Sequence, residues 1–115
     1  FRITLADGRI ESVDKGNPWL FGIDGLYFVD GGLVATQNGV RPNRILRIDL
    51  ADDGLQVDDT VVIARSLPQF DEPTLGVVVG DEFFFVANSH WNRFDAEGNL
   101  PAELTGPIVL KLSLD

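Results

Sequence analysis

Arg2-Ile3-Thr4-Leu5-Ala6-Asp7 returns as Arg47-Ile48-Asp49-Leu50-Ala51-Asp52, and again as Lys111-Leu112-Ser113-Leu114-Asp115. Leu5 and Leu50 stand 45 residues apart, and Leu50 and Leu114 stand 64 apart. Self-similarity at a period of roughly 40 to 50 residues, filled with strand signals, is the sequence signature of a β-propeller blade. A second pair lies between these copies. Leu33-Val34-Ala35-Thr36-Gln37-Asn38 parallels Phe83-Phe84-Phe85-Val86-Ala87-Asn88, in the order expected of two blades sharing one strand order.

Outward from these repeats, short β-branched and aromatic runs are bounded by Gly, Asp, Asn and Pro, and helical periodicity is lacking. The expected fold class is all-β, a partial β-propeller of antiparallel four-stranded blades. Residues 1–14 read as the last strands of one blade, with a turn at Ala6-Asp7-Gly8. A loop over 14–20, containing Gly16, Asn17 and Pro18, follows. Residues 15–65 read as one complete blade, with strands near 26–29, 33–37, 44–50 and 56–63. Residues 66–115 supply three strands of a final blade, near 75–79, 82–86 and 108–114. A loop insertion at 89–107 accounts for the longer second spacing. The apolar runs Leu26-Tyr27-Phe28-Val29 and Val77-Val78-Val79 suit innermost strands packed on both faces. Val77, Val78, Phe84, Leu46 and Ile48 are the expected core between blades.

Composition bounds what such a chain can do. The 115 residues are 44 % apolar, yet a propeller needs about four to eight blades to close. The chain opens at Phe1 and holds barely two blades, so the expectation is the C-terminal part of a larger ring, with the remaining blades as its partners. Eighteen acids against nine bases give a net charge of −9. That argues against nucleic acid, which demands clustered Lys and Arg, and against anionic membrane surfaces. The absence of cysteine excludes disulfides and thiolate zinc sites. The compartment is left open.

A four-stranded meander reverses at every turn. Loops between second and third strands therefore emerge on the same side as the connections between blades. That side collects residues 21–25, 38–43, 70–74 and 89–107, and longer loops on a rigid scaffold tend to carry function. Asp24 and Glu72 each stand before an innermost strand, where carboxylates offer hard oxygen ligands to a divalent cation. Equally, Asp24 suits an Asx-type turn before Gly25, and Glu72 a solvated or loop-bonded position. His90, the sole histidine, reads as a base or ligand, or as a loop residue bonded to backbone. Trp91 with Phe94 suits an aromatic wall for a small ligand or an anchor for the insertion. Asn38 lies in the same loop set, and Arg41 and Arg93 suit a carboxylate substrate or neighbouring acids. No nucleophile elbow, phosphate loop or paired metal-binding histidines occur, so no catalytic residue is assigned.

Ile23-Asp24-Gly25-Leu26-Tyr27, Gln37-Asn38-Gly39, Pro42-Asn43-Arg44-Ile45-Leu46-Arg47, Asp71-Glu72-Pro73-Thr74-Leu75-Gly76 and Val86-Ala87-Asn88-Ser89 together resemble the C-terminal blades of the gluconolactonase/regucalcin-like (senescence marker, LRE-like) propellers. The resemblance implies a six-bladed ring with a divalent cation, usually Ca²⁺, in its central channel. It also implies hydrolysis of a lactone or small ester, with Asp24 matching the family's metal-binding aspartate. The family's other ligands, a glutamate and asparagines of earlier blades, have no counterpart here, and Glu72 matches none of them. The competing expectation is a non-catalytic propeller that binds a protein or small ligand on its loop side.

Overall fold

The structure, a computed structural model, describes residues 1–16 and 19–115. Asn17 and Pro18, placed by the sequence in a loop, lie outside the described residues. The chain is all-β. Nine strands form three antiparallel sheets among the described residues: β1 (Arg2–Thr4) with β2 (Arg9–Glu11), then β3 (Ile23–Val29), β4 (Gly32–Gln37), β5 (Arg44–Leu50) and β6 (Val57–Arg65), then β7 (Gly76–Val79), β8 (Glu82–Val86) and β9 (Val109–Ser113). Within each sheet, neighbours in sequence are neighbours in space. Among the described residues the one helical feature is a single 3₁₀ turn, Trp91–Arg93, within the long insertion. Among the described residues no helix is long and apolar enough to cross a membrane.

The four-stranded meander expected near residues 26–63 is present, with its outer strands longer than the sequence suggests. The aligned pair of strands also occupies equivalent places. Phe28 lies opposite Leu33 in one sheet and Val78 opposite Phe83 in the other, so β4 and β8 play the same part. The small first sheet is tied to the β5–β6 turn. Asp14 N donates to Leu55 O at 2.8 Å, and Val57 N donates to Asp14 O at 2.8 Å, making a parallel bridge.

The core lies where the second sheet rests on the third. Val29, Val34, Ile45 and Ala64 of the second sheet meet Phe83 and Phe85 of β8, with Ala87 just beyond it, and Tyr27, Val78, Leu110 and Leu112 close the margins. Phe83 is fully buried, its ring 5.0 Å from Tyr27 and stacked at 5.4 Å on Phe85. Ala35, Leu46 and Ile48 form a smaller cluster on the opposite side of the second sheet, under Leu20, Ile23 and Val57.

Two expectations about packing need correction. Leu46 and Ile48 are buried and Val78 packs on the margin of the core, but Val77 is 54 % exposed and Phe84 is only half-buried. The inward residues of β8 are Phe83 and Phe85. Three consecutive phenylalanines hide the alternation that would have fixed the parity, and a one-residue change of phase turns every side chain over. Nor are β3 and β7 packed on both faces. Leu26, Phe28 (72 % exposed), Val77 and Val79 point outward, because no other part of the described chain covers those sides.

These assignments separate two neighbouring phenylalanines. Phe83→Ala should cost about 3 to 5 kcal/mol, as for a large side chain removed from a packed core. Phe84→Ala should cost less than half of that. Urea unfolding midpoints of the two variants check the ranking, and equal losses would contradict the parity.

Candidate functional site

The β3 ladder slips by one residue between Ile23 and Gly25, so Asp24 sits on a bulge inside the strand rather than ahead of it. A bulge re-aims its side chain out of the regular alternation. The Asp24 carboxylate is exposed, and its Oδ2 accepts from Asn38 Nδ2 at 3.0 Å and from Thr74 Oγ1 at 2.6 Å. Asn38 Nδ2 also donates to the Pro73 carbonyl at 3.0 Å. Asp24 and Asn38 thus bind the second sheet to the segment entering the third.

Glu72 occupies a different position from Asp24 relative to its sheet. Gly39 N donates to Gly22 O at 2.9 Å, and Ser89 N donates to Glu72 O at 3.2 Å, so Glu72 is the counterpart of Gly22. Both are left-handed, at φ +66° and +62°. Thr74 is the counterpart of Asp24. Glu72 Oε2 is buried without a hydrogen-bond partner, an orphaned acceptor of the kind a cation or donor satisfies. Glu72, Asp71, Arg41, Asn43, Phe70 and Asn92 line one cleft of about 280 Å³.

Asp71 gathers the insertion. Asn92 Nδ2 donates to it at 3.0 Å, Arg93 Nε at 3.1 Å and Nη2 at 3.0 Å, and His90 Nδ1 stands 3.2 Å from Oδ2. A carboxylate only accepts, so Nδ1 carries the proton in that contact. His90 Nε2 is then 3.1 Å from both Asn88 Nδ2 and the Thr105 carbonyl. Burial pushes the Asp71 carboxyl up, but the hydrogen bonds from Asn92, Arg93 and His90 outweigh it and hold Asp71 below the usual carboxylate range. Asn88 adds a second tie: its Oδ1 accepts from Ile108 N at 2.6 Å while Nδ2 donates to the Gly106 carbonyl at 2.9 Å. Trp91 is exposed and tilts against Phe94 with ring centres 5.5 Å apart.

The loop residues singled out in the sequence therefore meet at one end of the sheets, through two separate junctions. Asp24, Asn38 and Thr74 form one. Asp71, His90, Asn92 and Arg93 form the other, with Arg41 and Glu72 in the cleft beside it. Trp91 belongs to neither. Among the described residues no group of three or more His, Asp or Glu side chains is disposed to hold a metal. Ser89 Oγ donates to the Glu72 carbonyl at 2.8 Å rather than to His90, so the Asp71–His90 pair activates no hydroxyl in this arrangement. Sequence reasoning passed over Asp71, Thr74 and Gln37. The signal for Asp71 was the run of donors, His90, Asn92 and Arg93, in the facing insertion. Compared with protein-family models, with curated proteins and with solved structures, the chain matches none.

Asp71→Ala strands the donors of three side chains and should cost on the order of 1 to 3 kcal/mol, with faster amide exchange across residues 89–107 and unchanged protection in β4 and β8. The depressed folded pKa means that the carboxylate stabilises the fold above the ordinary aspartate value of about 4 and loses that effect as pH falls through the lower folded value. Melting temperatures of parent and variant should therefore differ at neutral pH and draw together in acid.

Proposed function

We propose that this chain contributes blades to a β-propeller whose loop side hydrolyses a lactone or small ester with the help of a divalent cation, Ca²⁺ by the chemistry of its donors. The observation that carries this reading is the Asp24 carboxylate. A bulge lifts it from the strand at the junction of two stacked sheets, with Oδ2 fixed by Asn38 and Thr74. A preorganised carboxylate oxygen of this type suits a hard cation. One carboxylate falls far short of the six to eight oxygens that calcium takes, so on this reading the other ligands belong to further blades of the ring. When bound, such a cation polarises a carbonyl and lowers the pKa of water. Asp24 would hold it, while the surrounding loops would bind and orient the substrate.

The ring itself is supported by how the repeats stack. The second sheet presents Tyr27, Val29 and Val34 to the Val78, Phe83 and Phe85 face of the third. The same two types of face are left over, Leu26, Phe28 and Leu33 on one side and Val77, Val79 and Phe84 on the other. Further blades stacked in the same manner would cover both.

A second reading has its own observation. Two hydrogen bonds already occupy Asp24 Oδ2, and a purely structural clamp in a non-catalytic, ligand-binding propeller needs nothing more. The two readings differ in which quantity moves. In the assembled propeller, Asp24→Asn should weaken Ca²⁺ binding by about tenfold or more, measured by calorimetric titration, with the melting temperature nearly unchanged. Unchanged calcium affinity with a lowered melting temperature would favour the scaffold.

A further inference from the structure

We propose that the cleft between the 19–22 segment and the 39–44 loop is a binding site for a small flat carboxylate, aromatic or conjugated. The cleft is distinct from the Asp24 junction, and the proposal stands whether or not Asp24 holds a cation. It measures about 500 Å³ and is lined by Trp19, Phe21, Gly39, Val40, Arg41 and Arg44. That volume lies in the range of small-molecule sites, which combine apolar walls with a few placed polar groups.

Charge is the first argument. In a chain with twice as many acids as bases, most cations find carboxylates: Arg2, Arg9, Arg47, Arg93 and Lys111 all do. Among the described residues Arg41, Arg44, Arg65 and Lys15 form no ion pair, and the three arginines of the four gather at this end of the second sheet. Arg44 lies directly opposite Arg65 across the β5–β6 ladder. Like charges so placed repel, and an anion beside them relieves the repulsion.

Construction is the second. Gln37 is fully buried, yet all its polar atoms are used on the cleft. Its Nε2 donates to the Trp19 and Phe21 carbonyls, both at 2.6 Å, and its Oε1 accepts from Arg44 Nε at 2.5 Å. One buried amide thus fixes both aromatic residues and one guanidinium. Arg41 Nη1 donates to the carbonyls of Asn38 at 2.9 Å and Val40 at 3.3 Å. Each arginine is therefore anchored by one nitrogen. Among the described residues Arg41 Nη2 and both Arg44 Nη groups have no protein partner. The backbone is pressed tight beneath. A Cβ on Gly22 would come within 2.7 Å of Gly39 Cα, so only glycine fits this crossing.

The choice of ligand follows from the lining. Guanidinium forks match a carboxylate or a phosphate. Two exposed rings, Trp19 at 64 % and Phe21 at 51 %, their centres 6.2 Å apart and tilted by 38°, offer apolar and π surface to one side of the ligand. A phosphate, doubly charged and strongly hydrated, gains nothing from those rings. A flat singly charged carboxylate uses both.

The test exploits there being only two tryptophans. In a Trp91→Phe background, Trp19 emission reports on the cleft, and benzoate serves as the probe. Benzoate should shift that emission saturably, and the neutral isostere benzamide should bind about tenfold more weakly or worse. Arg41→Gln and Arg44→Gln should each weaken benzoate by about tenfold, with circular-dichroism melts confirming the fold, while Arg9→Gln on the small first sheet should change nothing. Inorganic phosphate should not displace benzoate at equal concentration. The benzoate and benzamide comparison needs no substitution in the cleft, so it decides the matter even where Arg44→Gln unfolds. Equal binding of benzamide, no saturable response, or displacement by phosphate at equal concentration would overturn the proposal.

Discussion

The arrangement depends on how one aromatic ring lies over one strand edge. Phe83, on β8, reaches back across β7, and the position it covers is Gly76. A Cβ there would run into the Phe84 carbonyl oxygen and stand 2.7 Å from Phe83 Cζ, so strand backbone and ring together exclude any larger residue. The same Gly76 donates its backbone N–H to Tyr27 Oη at 2.7 Å. Tyr27 in turn packs its ring against Phe83. A tyrosine that buries its body and satisfies its hydroxyl in one contact makes the joint directional as well as apolar. Because the two sheets meet here, Pro73 and Thr74 arrive beside Asn38 and Asp24 a few residues away. The polar junction follows from the apolar one.

Electrostatics is spent unevenly over the surface. Most acids are exposed, in line with the net charge of −9. Asp71 is an exception, since it collects three side chains of one insertion and keeps its charge by doing so. A loop of this length with one short 3₁₀ turn has little regular backbone bonding of its own, and side-chain ties must replace it. Asp71 with His90, Asn92 and Arg93 holds its beginning, and Asn88 with Gly106 and Ile108 holds its end. Between them, the side chain and backbone of Asp95 close a local turn with Glu97, Gly98 and Asn99. The result is an ordered insertion attached to the sheets at both ends.

Much of this order was legible in the sequence, and the rest was hidden for identifiable reasons. Repeated strand phrases and Asp-Gly turns are local signals, and they placed the four-stranded meander and the loops that gather at one end. Parity was hidden wherever polar alternation fails, as in Phe83-Phe84-Phe85 and Val77-Val78-Val79. The pairing of Asp24 with Thr74 spans 50 residues and depends on the stacking of two sheets, which no local pattern encodes. Glu72 misled for a related reason. It precedes a strand as Asp24 does, but the register puts it at Gly22's place, where its backbone rather than its carboxylate has the repeated role. Gln37 reads as the polar end of a strand, and only the fold reveals that it is buried and bonded to the 19–22 segment.

The exposed apolar surface bears on the proposed ring through a simple asymmetry. Phe28 and Val78 are repeat counterparts, as are Tyr27 and Val77. Within the chain, Val78 and Tyr27 are the members turned into the shared core, whereas Phe28 and Val77 face outward. Each sheet therefore leaves exposed the type of face that its neighbour has buried. Burial of apolar surface is worth about 25 cal/mol per Å², and Leu26, Phe28, Val77, Val79 and Val109 are each more than half exposed. Two mutually complementary faces of opposite kind would close only if successive rotations add up to a full turn, and would otherwise run on as an open stack. A repeat that fixes the stacking angle between sheets is therefore also what would decide the number of blades. On the proposed reading, that angle is set where Phe83 lies over Gly76 and Tyr27.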